Sequence, residues 1–527
     1  MKKYLTKGNY QIFLVLLIAL QPIIELDYLI YPMLDSVGLP RPSTIFRFII
    51  IPLTIALGFL LFDRKKKKTL IVSFGYLAVL ALYFVLHCLN VKGIHSGLYL
   101  PNHFYFEISD EFIYVFTMTI PYFLMYLFVK SDLKEEHMKW TALISSAVIS
   151  IPIFFGNLFV FGKSTYEGYT QLNFLSWFVD GTYDLYHPRT LASKFFFEEG
   201  NTIGILMFMV LPLLYYYFSK ASNKKEKIGI GSLILVHSLA MIMLSTRVAT
   251  YGALLAPAGF LFVYLFSSLM MKTDTLKKTA LVLPVLMLVV CAVILPYSPA
   301  VINQKIAAEH ELIILEDDYL VDEGREGVEA DLALAKTKSD PALIYQFEAY
   351  GIRSNLMSYL PKAYFMDWYM YKHDAYFWLD LLFNVPFYER VNGRQIQSLF
   401  IQYKWEETPH PDVDHMLGLG YSHIMNGSMT LEQDFVQQFY SFGYIGWALI
   451  VSPWLLITAY GVFLVLKKFK KTFRTDILVY AMSLCFGLAS AYMSGHTLDE
   501  FSSNIFMAFL VGTLLIKLCE KEKVNED

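Results

Sequence analysis

The sequence predicts an all-α polytopic membrane protein, and two observations carry this prediction. Hydrophobic residues make up 56% of the 527 residues and charged residues only 17%, which is too few for the surfaces of soluble domains. The apolar residues also occur in runs of about 20, the length that a helix needs to cross a bilayer core of roughly 30 Å. These runs are too long and too uniformly apolar for barrel strands, so we expect helices, whose backbone hydrogen bonds are satisfied internally.

About twelve such runs follow one another along the chain. They lie near residues 10–31, 43–62, 69–90, 111–129, 139–162, 201–219, 228–245, 247–270, 279–298, 442–466, 476–495 and 501–518. The stretch from 228 to 270 is interrupted by Thr246-Arg247, which predicts two helices joined by a short turn. The first run is too long for a signal-peptide core and lacks a small-residue cleavage site, so we expect an uncleaved span.

Basic residues concentrate in alternate connections between these runs. The clusters are Lys2, Lys3 and Lys7; Arg64 to Lys68; Lys130 to Lys139; Lys220 to Lys227; Lys272 to Lys278; Lys467 to Arg474; and Lys517 to Lys523. Because cytoplasmic loops retain Lys and Arg, the clusters and both termini are predicted to be cytoplasmic. The predicted organisation is helices one to nine in residues 1–298, a large extracytoplasmic loop in 299–441, and helices ten to twelve with a short cytoplasmic tail in 442–527.

Several classes of protein are disfavoured by what the sequence lacks. The four cysteines lie in or at the ends of apolar runs, and their spacing suggests neither a metal site nor a disulfide framework. The sequence contains no P-loop, dinucleotide-binding glycine motif, zinc-binding HExxH motif or nucleophile elbow. Nothing therefore indicates nucleotide hydrolysis or a bound redox cofactor. The absence of a clear internal repeat argues against an inverted-repeat transporter.

The predicted outer loop begins with two stretches of distinctive composition. The acidic stretch 309–331 includes Glu316-Asp317-Asp318 and Asp322-Glu323; adjacent acids can bind a divalent metal, but no further ligands converge, which favours a solvated helix face. An aromatic-rich segment follows, with Tyr364, Phe365, Trp368, Tyr369, Tyr371, Tyr376, Phe377 and Trp378. Its rings would either stack on sugars or, as we prefer, lie in the membrane interface. The two interpretations are compatible for a lipid-linked sugar.

The loop ends in three short glycine- and charge-containing phrases. They are Asn392-Gly393-Arg394, then Leu417-Gly418-Leu419-Gly420-Tyr421, and finally Leu431-Glu432-Gln433-Asp434-Phe435 followed by Phe442-Gly443-Tyr444-Ile445-Gly446. Glycine permits tight turns and close approach of the backbone. The third phrase leads into the tenth helix, so Glu432 and Asp434 are predicted to lie at its outer mouth.

Together with Glu199-Gly200-Asn201, Ser245-Thr246-Arg247 and Gly495-His496, these phrases resemble the bacterial O-antigen ligase and polymerase-like membrane proteins. The resemblance extends over nearly the whole chain and implies a GT-C-type architecture, with one large outer loop between helices nine and ten. The chain departs from the family at one point. Many of its ligases carry a histidine just before the tenth helix, where this sequence reads Leu-Glu-Gln-Asp-Phe, as in a subgroup with acidic residues there.

The resemblance also implies a function. Such proteins take a glycan from a polyprenyl-diphosphate-linked oligosaccharide donor and join it to an acceptor hydroxyl, either on another lipid-linked repeat unit, in a polymerase, or on a surface anchor, in a ligase. The products are surface polysaccharides such as O-antigen, capsule or exopolysaccharide, and the expected location is the bacterial cytoplasmic (inner) membrane. No nucleotide sugar, ATP, metal or other cofactor is implied, nor a nucleic-acid partner. Other polysaccharide-assembly membrane proteins are candidate partners.

Two other classes of function remain as alternatives. The first is a transporter or flippase of a lipid-linked glycan. A transporter has little use for an outer loop of this size, whereas a transferase must build an acceptor site outside the membrane. The second is a bare anchoring protein, which would not need charges within its helices.

Transfer from a diphosphate carrier needs cations for the leaving group, and arginine suits diphosphate because its planar fork makes bidentate bonds and stays charged. Arg247 is the first candidate, since it is the only charge between two apolar helices, where an arginine is costly unless it is paired or reaches the surface. Its alternative role is binding lipid phosphates. Arg394 is a candidate by resemblance, and otherwise a surface arginine. Arg47 either snorkels to the headgroups, pairs with Glu25 or Asp27, or contributes to diphosphate binding.

The acceptor hydroxyl needs a base, and Glu432 and Asp434 are the preferred candidates. Partial burial near a membrane raises the pKa of a carboxylate toward the working range; the alternative role is a charge favourable to the helix macrodipole. Two residues apart on a helix point to different faces, and we favour Glu432 for its longer reach. His496, beside Asp499 and Glu500, is the second candidate base, or else a packing residue at a helix end.

Overall fold

The computed structural model describes residues 6–63, 66–96, 106–316, 321–338, 393–421 and 431–519, together with residues 377, 380, 381 and 384–386. It confirms the prediction of an all-α polytopic membrane protein. Eleven of the described helices are long and apolar enough to cross a membrane, and the number rises to 12 if the bent pair Lys7–Ala19 and Gln21–Leu29 forms one span. The sheet present in the described ranges is a two-stranded antiparallel ribbon.

Residues 7–294 contain most of the described membrane-length helices. In chain order the α-helices are α1 (Lys7–Ala19), α2 (Tyr31–Ser36), α3 (Pro42–Phe62), α4 (Lys67–Ser96), α5 (Ile108–Ser131), α6 (Glu135–Phe159), α7 (Thr182–Leu185), α8 (Gly200–Lys220), α9 (Lys224–Leu244), α10 (Arg247–Leu265) and α11 (Thr279–Ile294). The strands β1 (Lys163–Ser164) and β2 (Ser193–Phe195) lie between α6 and α8.

The second half contains the predicted outer loop and the last spans. Its described α-helices are α12 (Pro299–Glu316), α13 (Val321–Ala335), α14 (Gly393–Glu406), α15 (Pro411–Leu417), α16 (Asp434–Lys467), α17 (Phe469–Thr472), α18 (Thr475–Met493) and α19 (Phe501–Cys519). Most of the aromatic-rich segment lies outside the described residues, as do Asp317 and Asp318. The predicted roles of both stretches therefore stay predictions.

Three features of the spans follow from local chemistry. The first run is not one continuous helix: α1 gives way to a 3-10 helix, Gln21–Leu29, with a 44° bend, because Pro22 lacks the N–H that an α-helix needs. The predicted turn between helices seven and eight is present, with Ser245 left-handed (φ 61°) and Thr246 capping α10. The tenth span begins earlier than predicted, at Asp434, and is interrupted at Gly443 (φ 63°, ψ −175°).

The contacts divide the chain into two compact units. Unit 1 comprises residues 1–72, 117–303 and 453–527, and unit 2 comprises residues 73–116 and 304–452. In unit 1 the most enclosed helix is α8, which is 94% buried over its apolar window and packs against α6, α9, α10 and α18. The predicted division at residues 298 and 441 stays a prediction.

The connection between α6 and α8 is folded, which the hydropathy pattern did not indicate. The side chain of Asn157, near the end of α6, accepts a hydrogen bond from the Ser193 amide at 2.8 Å and donates one to the Ser193 carbonyl at 2.9 Å. Trp177 is 2% exposed and donates to the Leu191 carbonyl. The connection therefore holds β1 and β2 in fixed positions at the ends of the helices.

The predicted orientation gives a first test. Fusions of alkaline phosphatase, which is active only outside the cytoplasm, are expected to be inactive after Leu60 and active after Asn90 and Pro361, because the lysine-rich connections stay in the cytoplasm. Pro361 itself lies outside the described residues. A fluorescent protein that matures only in the cytoplasm serves as the reciprocal reporter. Cytoplasmic fluorescence from the Pro361 fusion would reject the orientation.

Candidate functional site

One group of charged side chains in unit 1 comes from four segments of the chain. We call it the acid–base cluster: Glu25, Asp27, Arg41, Arg47, Lys163, Lys194, Glu198, His496, Asp499 and Glu500. Of these residues, the sequence alone had pointed to Arg47, Glu25, Asp27 and the His496–Glu500 segment. The other members lie at the start of α3 and in the connection between α6 and α8.

Arg47 is the most enclosed cation of the cluster, with 5% of its surface exposed. Its guanidinium donates to the Glu25 carboxylate at 3.2 Å and to the Gln21 side chain at 3.1 Å. The Ser502 hydroxyl donates to the same Glu25 oxygen at 3.2 Å. Arg47 therefore does not snorkel, and of the two predicted partners it pairs with Glu25. A buried pair of this kind is costly to break, because the remaining charge has no compensation.

Asp27, the other predicted partner, forms an ion pair with Arg41 instead. Its carboxylate lies 3.1 Å from one Arg41 nitrogen and accepts a hydrogen bond from the Ser43 amide at 2.7 Å. A second Arg41 nitrogen donates to the carboxylate of Glu198. Arg41 thus links the start of α3 to the segment that precedes α8, and its charge is neutralised within the cluster.

Two lysines of the cluster surround the Tyr28 ring. The Lys163 ammonium lies 3.7 Å from the ring centroid, the Lys194 ammonium 5.7 Å and the Arg41 guanidinium 5.5 Å. Lys194 is 8% exposed and donates to the Glu198 carbonyl at 2.6 Å. Within the part of the chain that the structure describes, neither lysine forms an ion pair. Burial lowers the pKa of both ammonium groups, as expected for crowded cations.

Lys163 and Lys194 were not predicted as site residues, because the hydropathy pattern does not distinguish the connection between α6 and α8 from a simple linker. One sequence signal would have found them: they are lysines in a connection predicted to be extracytoplasmic, where the positive-inside rule expects few. A lysine in such a connection does not serve the topology, which leaves binding or structure as its role.

The segment between α18 and α19 carries the remaining acids. The His496 ring nitrogen Nδ1 lies 3.0 Å from Asp499 Oδ2, and the His496 backbone is left-handed (φ 56°). Burial, reinforced by the neighbouring Asp499 carboxylate, raises the pKa of Glu500 well above its ordinary value. Glu500 is therefore a carboxyl group that favours its neutral form, whereas His496 already has a carboxylate partner.

Arg247 is the first residue of α10 and is exposed. Its side chain makes no hydrogen bond or ion pair to any residue in the described ranges. The turn that presents it is fixed from outside: Thr165 donates to the Leu244 carbonyl at 2.6 Å, Tyr166 donates to the Ser245 carbonyl at 3.1 Å, and the Ala300 amide donates to the Ser245 hydroxyl at 3.0 Å. Arg247 is thus a free cation on a rigid turn at a helix N-terminus.

In unit 2 the structure brings two of the loop phrases together. Arg394, in the first turn of α14, forms an ion pair with Glu432 at 2.9 Å. The Gln397 side chain accepts a hydrogen bond from the Glu432 amide, and the Ser398 hydroxyl donates to the Gln433 side chain, both at 2.9 Å. The predicted diphosphate ligand Arg394 and the predicted base Glu432 are therefore direct neighbours.

The two acids of the third phrase differ in accessibility. The Glu432 side chain is 32% exposed and precedes α16. Asp434 is 2% exposed and lies in the first turn of α16, where a negative charge is favourable to the helix dipole. Of the two, Glu432 is the one that a substrate can reach.

The glycines of the remaining phrases allow two backbone segments to touch. Gly418 and Gly443 both have positive φ, and a Cβ on Gly443 would lie 2.4 Å from the Gly418 nitrogen. At the same place, the Leu419 and Gly420 amides donate to the carbonyls of Tyr440 and Ser441 at 2.9 and 3.0 Å. The break in α16 frees these carbonyls, and the turn satisfies them.

Gly443→Ala is expected to lower the stability of the protein strongly. The Gly443 backbone (φ 63°, ψ −175°) lies in a region that essentially only glycine adopts and that costs another residue about 1–3 kcal/mol, and the alanine Cβ would also overlap backbone atoms that cannot move aside. Thermal unfolding in detergent and accumulation in membranes measure the effect. Gly461→Ala is the matched control, because this glycine of the same helix has nothing within 4 Å of its Cβ position. Equal stability of the two variants would contradict the interpretation.

Comparison with known proteins adds a family to this geometry. The model of a family described as O-antigen ligase like membrane protein matches residues 7–521, nearly the whole chain. No curated protein and no solved structure matches the sequence significantly. The resemblance predicted from the loop phrases is thus confirmed over helices, connections and outer loop alike. The chain belongs to the O-antigen ligase-like membrane protein family.

Proposed function

We propose that the protein is a membrane glycosyltransferase of surface polysaccharide biosynthesis, acting at the outer face of the bacterial cytoplasmic membrane. It transfers or polymerises glycan from a polyprenyl-diphosphate-linked donor onto an acceptor hydroxyl. The observation that carries the proposal is the set of cations in unit 1. Lys163, Lys194 and Arg247 form no direct ion pair with any of the described residues, although Lys194 is buried. Cations held in this way suit an anionic ligand.

The proposed reaction needs no group beyond the protein and its substrates. The Glu432 carboxylate takes the proton of the acceptor hydroxyl as its oxygen attacks the anomeric carbon of the donor sugar. The bond between that carbon and the diphosphate oxygen breaks, and the leaving polyprenyl diphosphate carries the electron pair. We assign stabilisation of this leaving group to Arg247, with Lys163 and Lys194 of the acid–base cluster contributing positive charge, whereas the charge of Arg47 is compensated by Glu25. Arg394 orients Glu432 through their ion pair.

The family supports membrane ligation or polymerisation of glycans in general, and the choice between them requires an experiment. In a strain that lacks the protein, loss of all chains beyond one repeat unit would indicate a polymerase. Normal chains left on the lipid carrier would indicate a ligase. Complete repeat units trapped at the cytoplasmic face would instead indicate a flippase and overturn the proposal.

Purified protein gives the direct test. Incubation with the strain's lipid-linked oligosaccharide in detergent or vesicles is expected to give glycan transfer and free polyprenyl diphosphate without ATP or nucleotide sugar. Absence of transfer with both natural substrates present, while the protein moves the donor across vesicles, would favour the transporter alternative.

A further inference from the structure

Unit 2 contains a buried polar network that the proposed reaction does not use. Tyr83 and His87 lie on α4 and Glu111 on α5, and their exposures are 3%, 0% and 0%. His87 lies within the membrane-length helix α4 and Glu111 in the first turn of α5, and full burial is costly for titratable groups in such helices unless they have partners. Burying them demands that their hydrogen bonds be satisfied in full.

Beyond their contacts with one another, these three side chains bond to the backbone of the Gly418–Tyr421 turn and of the break in α16. His87 Nδ1 lies 2.7 Å from the Leu417 carbonyl oxygen. The Tyr83 hydroxyl donates to the Phe442 carbonyl at 2.7 Å, and Glu111 accepts a hydrogen bond from the Tyr421 amide at 3.0 Å. The network therefore forms hydrogen bonds with the backbone at Leu417 and Tyr421, on the two sides of the turn, and at Phe442, the residue before Gly443.

The partners fix the protons of the network. A carbonyl oxygen can only accept, so His87 Nδ1 must carry a hydrogen. The other ring nitrogen, Nε2, lies 3.2 Å from Glu111 Oε2, and this contact is favourable only if one proton lies between the two atoms. The histidine thus joins the carboxyl group to the turn, and loss of either side chain leaves a buried polar group without its partner.

Aromatic rings pack around this network, and glycines allow its side chains to approach the backbone closely. Tyr114 stacks on Tyr421 with ring centroids 4.1 Å apart and on Phe442 at 5.0 Å. A Cβ on Gly420 would lie 2.9 Å from Glu111 Oε1, and one on Gly446 would lie 2.1 Å from the Tyr83 hydroxyl. The glycines of both loop phrases are therefore places where this network approaches the backbone.

We propose that His87 and Glu111, with Tyr83, are positioning residues that hold the candidate base Glu432 in place. They fix the Gly418–Tyr421 turn, the turn fixes the Tyr440–Ser441 segment of α16 through two amide–carbonyl hydrogen bonds, and that segment carries the start of α16. Leu431, next to Glu432, is linked to this segment through Gln437: the Leu431 amide donates to the Gln437 side chain at 2.9 Å, and that side chain donates to the Ser441 hydroxyl at 2.8 Å. The inference rests on the proposed role of Glu432 in the transferase.

A matched pair of tyrosine variants on α4 tests the inference. Tyr83→Phe removes the hydroxyl that bonds to the Phe442 carbonyl, and Tyr76→Phe removes one that donates to the Leu449 carbonyl of the same helix at 3.2 Å. Tyr83→Phe is expected to lower kcat of glycan transfer about 10-fold, in line with the sensitivity of catalysis to small misplacement, with KM for the lipid-linked donor unchanged. Tyr76→Phe is expected to leave both constants unchanged. Equal losses in the two variants would reduce the network to a structural role and overturn the inference.

Histidine variants give the rescue test. The amide of an asparagine at position 87 occupies the place of Nδ1 and can donate to the Leu417 carbonyl, whereas a leucine cannot. His87→Leu is expected to lower kcat about 10- to 100-fold, and His87→Asn to recover a large part of the loss. If His87→Leu does not accumulate, the comparison of His87→Asn with Tyr83→Phe decides: wild-type kcat in both would overturn the inference.

Hydrogen exchange separates this inference from the proposed function. The amides of Leu419, Gly420 and Tyr421 are all hydrogen-bonded, so their exchange in purified protein should be slow, and faster in Tyr83→Phe than in Tyr76→Phe. Faster exchange in a protein that transfers no glycan would refute the proposed transferase activity but support the role of the network in fixing the turn. Unchanged exchange with unchanged kcat in an active transferase would refute the positioning role alone.

Discussion

Glu432→Gln is expected to lower the rate of glycan transfer about 10²–10⁴-fold, the usual contribution of a positioned general base. Glutamine keeps the shape of the side chain but cannot accept a proton at neutral pH. Donor binding should change little, because the carboxylate acts on the acceptor hydroxyl. The measurement is single-turnover transfer from purified lipid-linked donor, with donor affinity determined separately.

Two further variants make this result interpretable. Glu407→Gln is the control, since Glu407 is an exposed acid of the same unit and should behave as wild type. Asp434→Asn is expected to affect mainly stability, because Asp434 is buried in the first turn of α16. Near-normal rates in both Glu432→Gln and Asp434→Asn would remove the acid pair from the reaction and make His496 the next candidate base.

Arg247→Lys is expected to lower transfer about 10- to 100-fold while the protein still inserts and accumulates. Lysine keeps the charge but loses the planar fork that binds two diphosphate oxygens at once, and each charge-assisted hydrogen bond contributes about 1.5–3 kcal/mol. The loss should appear in kcat/KM for the donor. Because the turn under Arg247 is held by Thr165, Tyr166 and Ser245, the substitution changes the side chain without releasing the backbone.

Arg474→Lys is the control for the arginine variant. Arg474 is half-buried and pairs with Asp476 two residues away, outside the proposed site, so its replacement by lysine should leave transfer unchanged. Arg394→Lys should differ from both: its effect is expected in kcat, since Arg394 contacts Glu432 rather than standing free. Wild-type transfer by Arg247→Lys and Arg394→Lys would show that neither arginine acts as proposed.

Hydropathy was sufficient to predict the membrane-length helices, because the cost of burying unpaired backbone in lipid leaves few other structures. The bend at Pro22 and the early start of α16 were not predicted, since both depend on backbone conformation rather than on apolarity. Family resemblance was sufficient to select the Asn392-Gly393-Arg394 motif as a candidate. The ion pair between Arg394 and Glu432, however, joins residues far apart in sequence. No local pattern encodes such a contact.

Other residues of the candidate site were not predicted for a similar reason, since their partners are distant in the sequence. His87 is a single polar residue near the end of a long apolar run, and Glu111 is one of two adjacent acids in the first turn of α5, so neither residue stands out in the sequence. Only their mutual distance of 3.2 Å identifies them as a pair. Lys163 and Lys194 likewise became informative when β1 and β2 placed them beside Tyr28.

The enclosure of α8 has a consequence for how the protein responds to its membrane. The apolar window of α8 is 94% buried, whereas that of α4 is 11% buried and those of α3 and α11 are 22% buried. Changes in bilayer thickness act on the helices that lipid touches, through tilt and hydrophobic mismatch. A helix surrounded by protein is shielded from them. The acid–base cluster is anchored beside the start of α8, so its geometry should be nearly constant in thin and thick bilayers, while α4 adapts to the lipid.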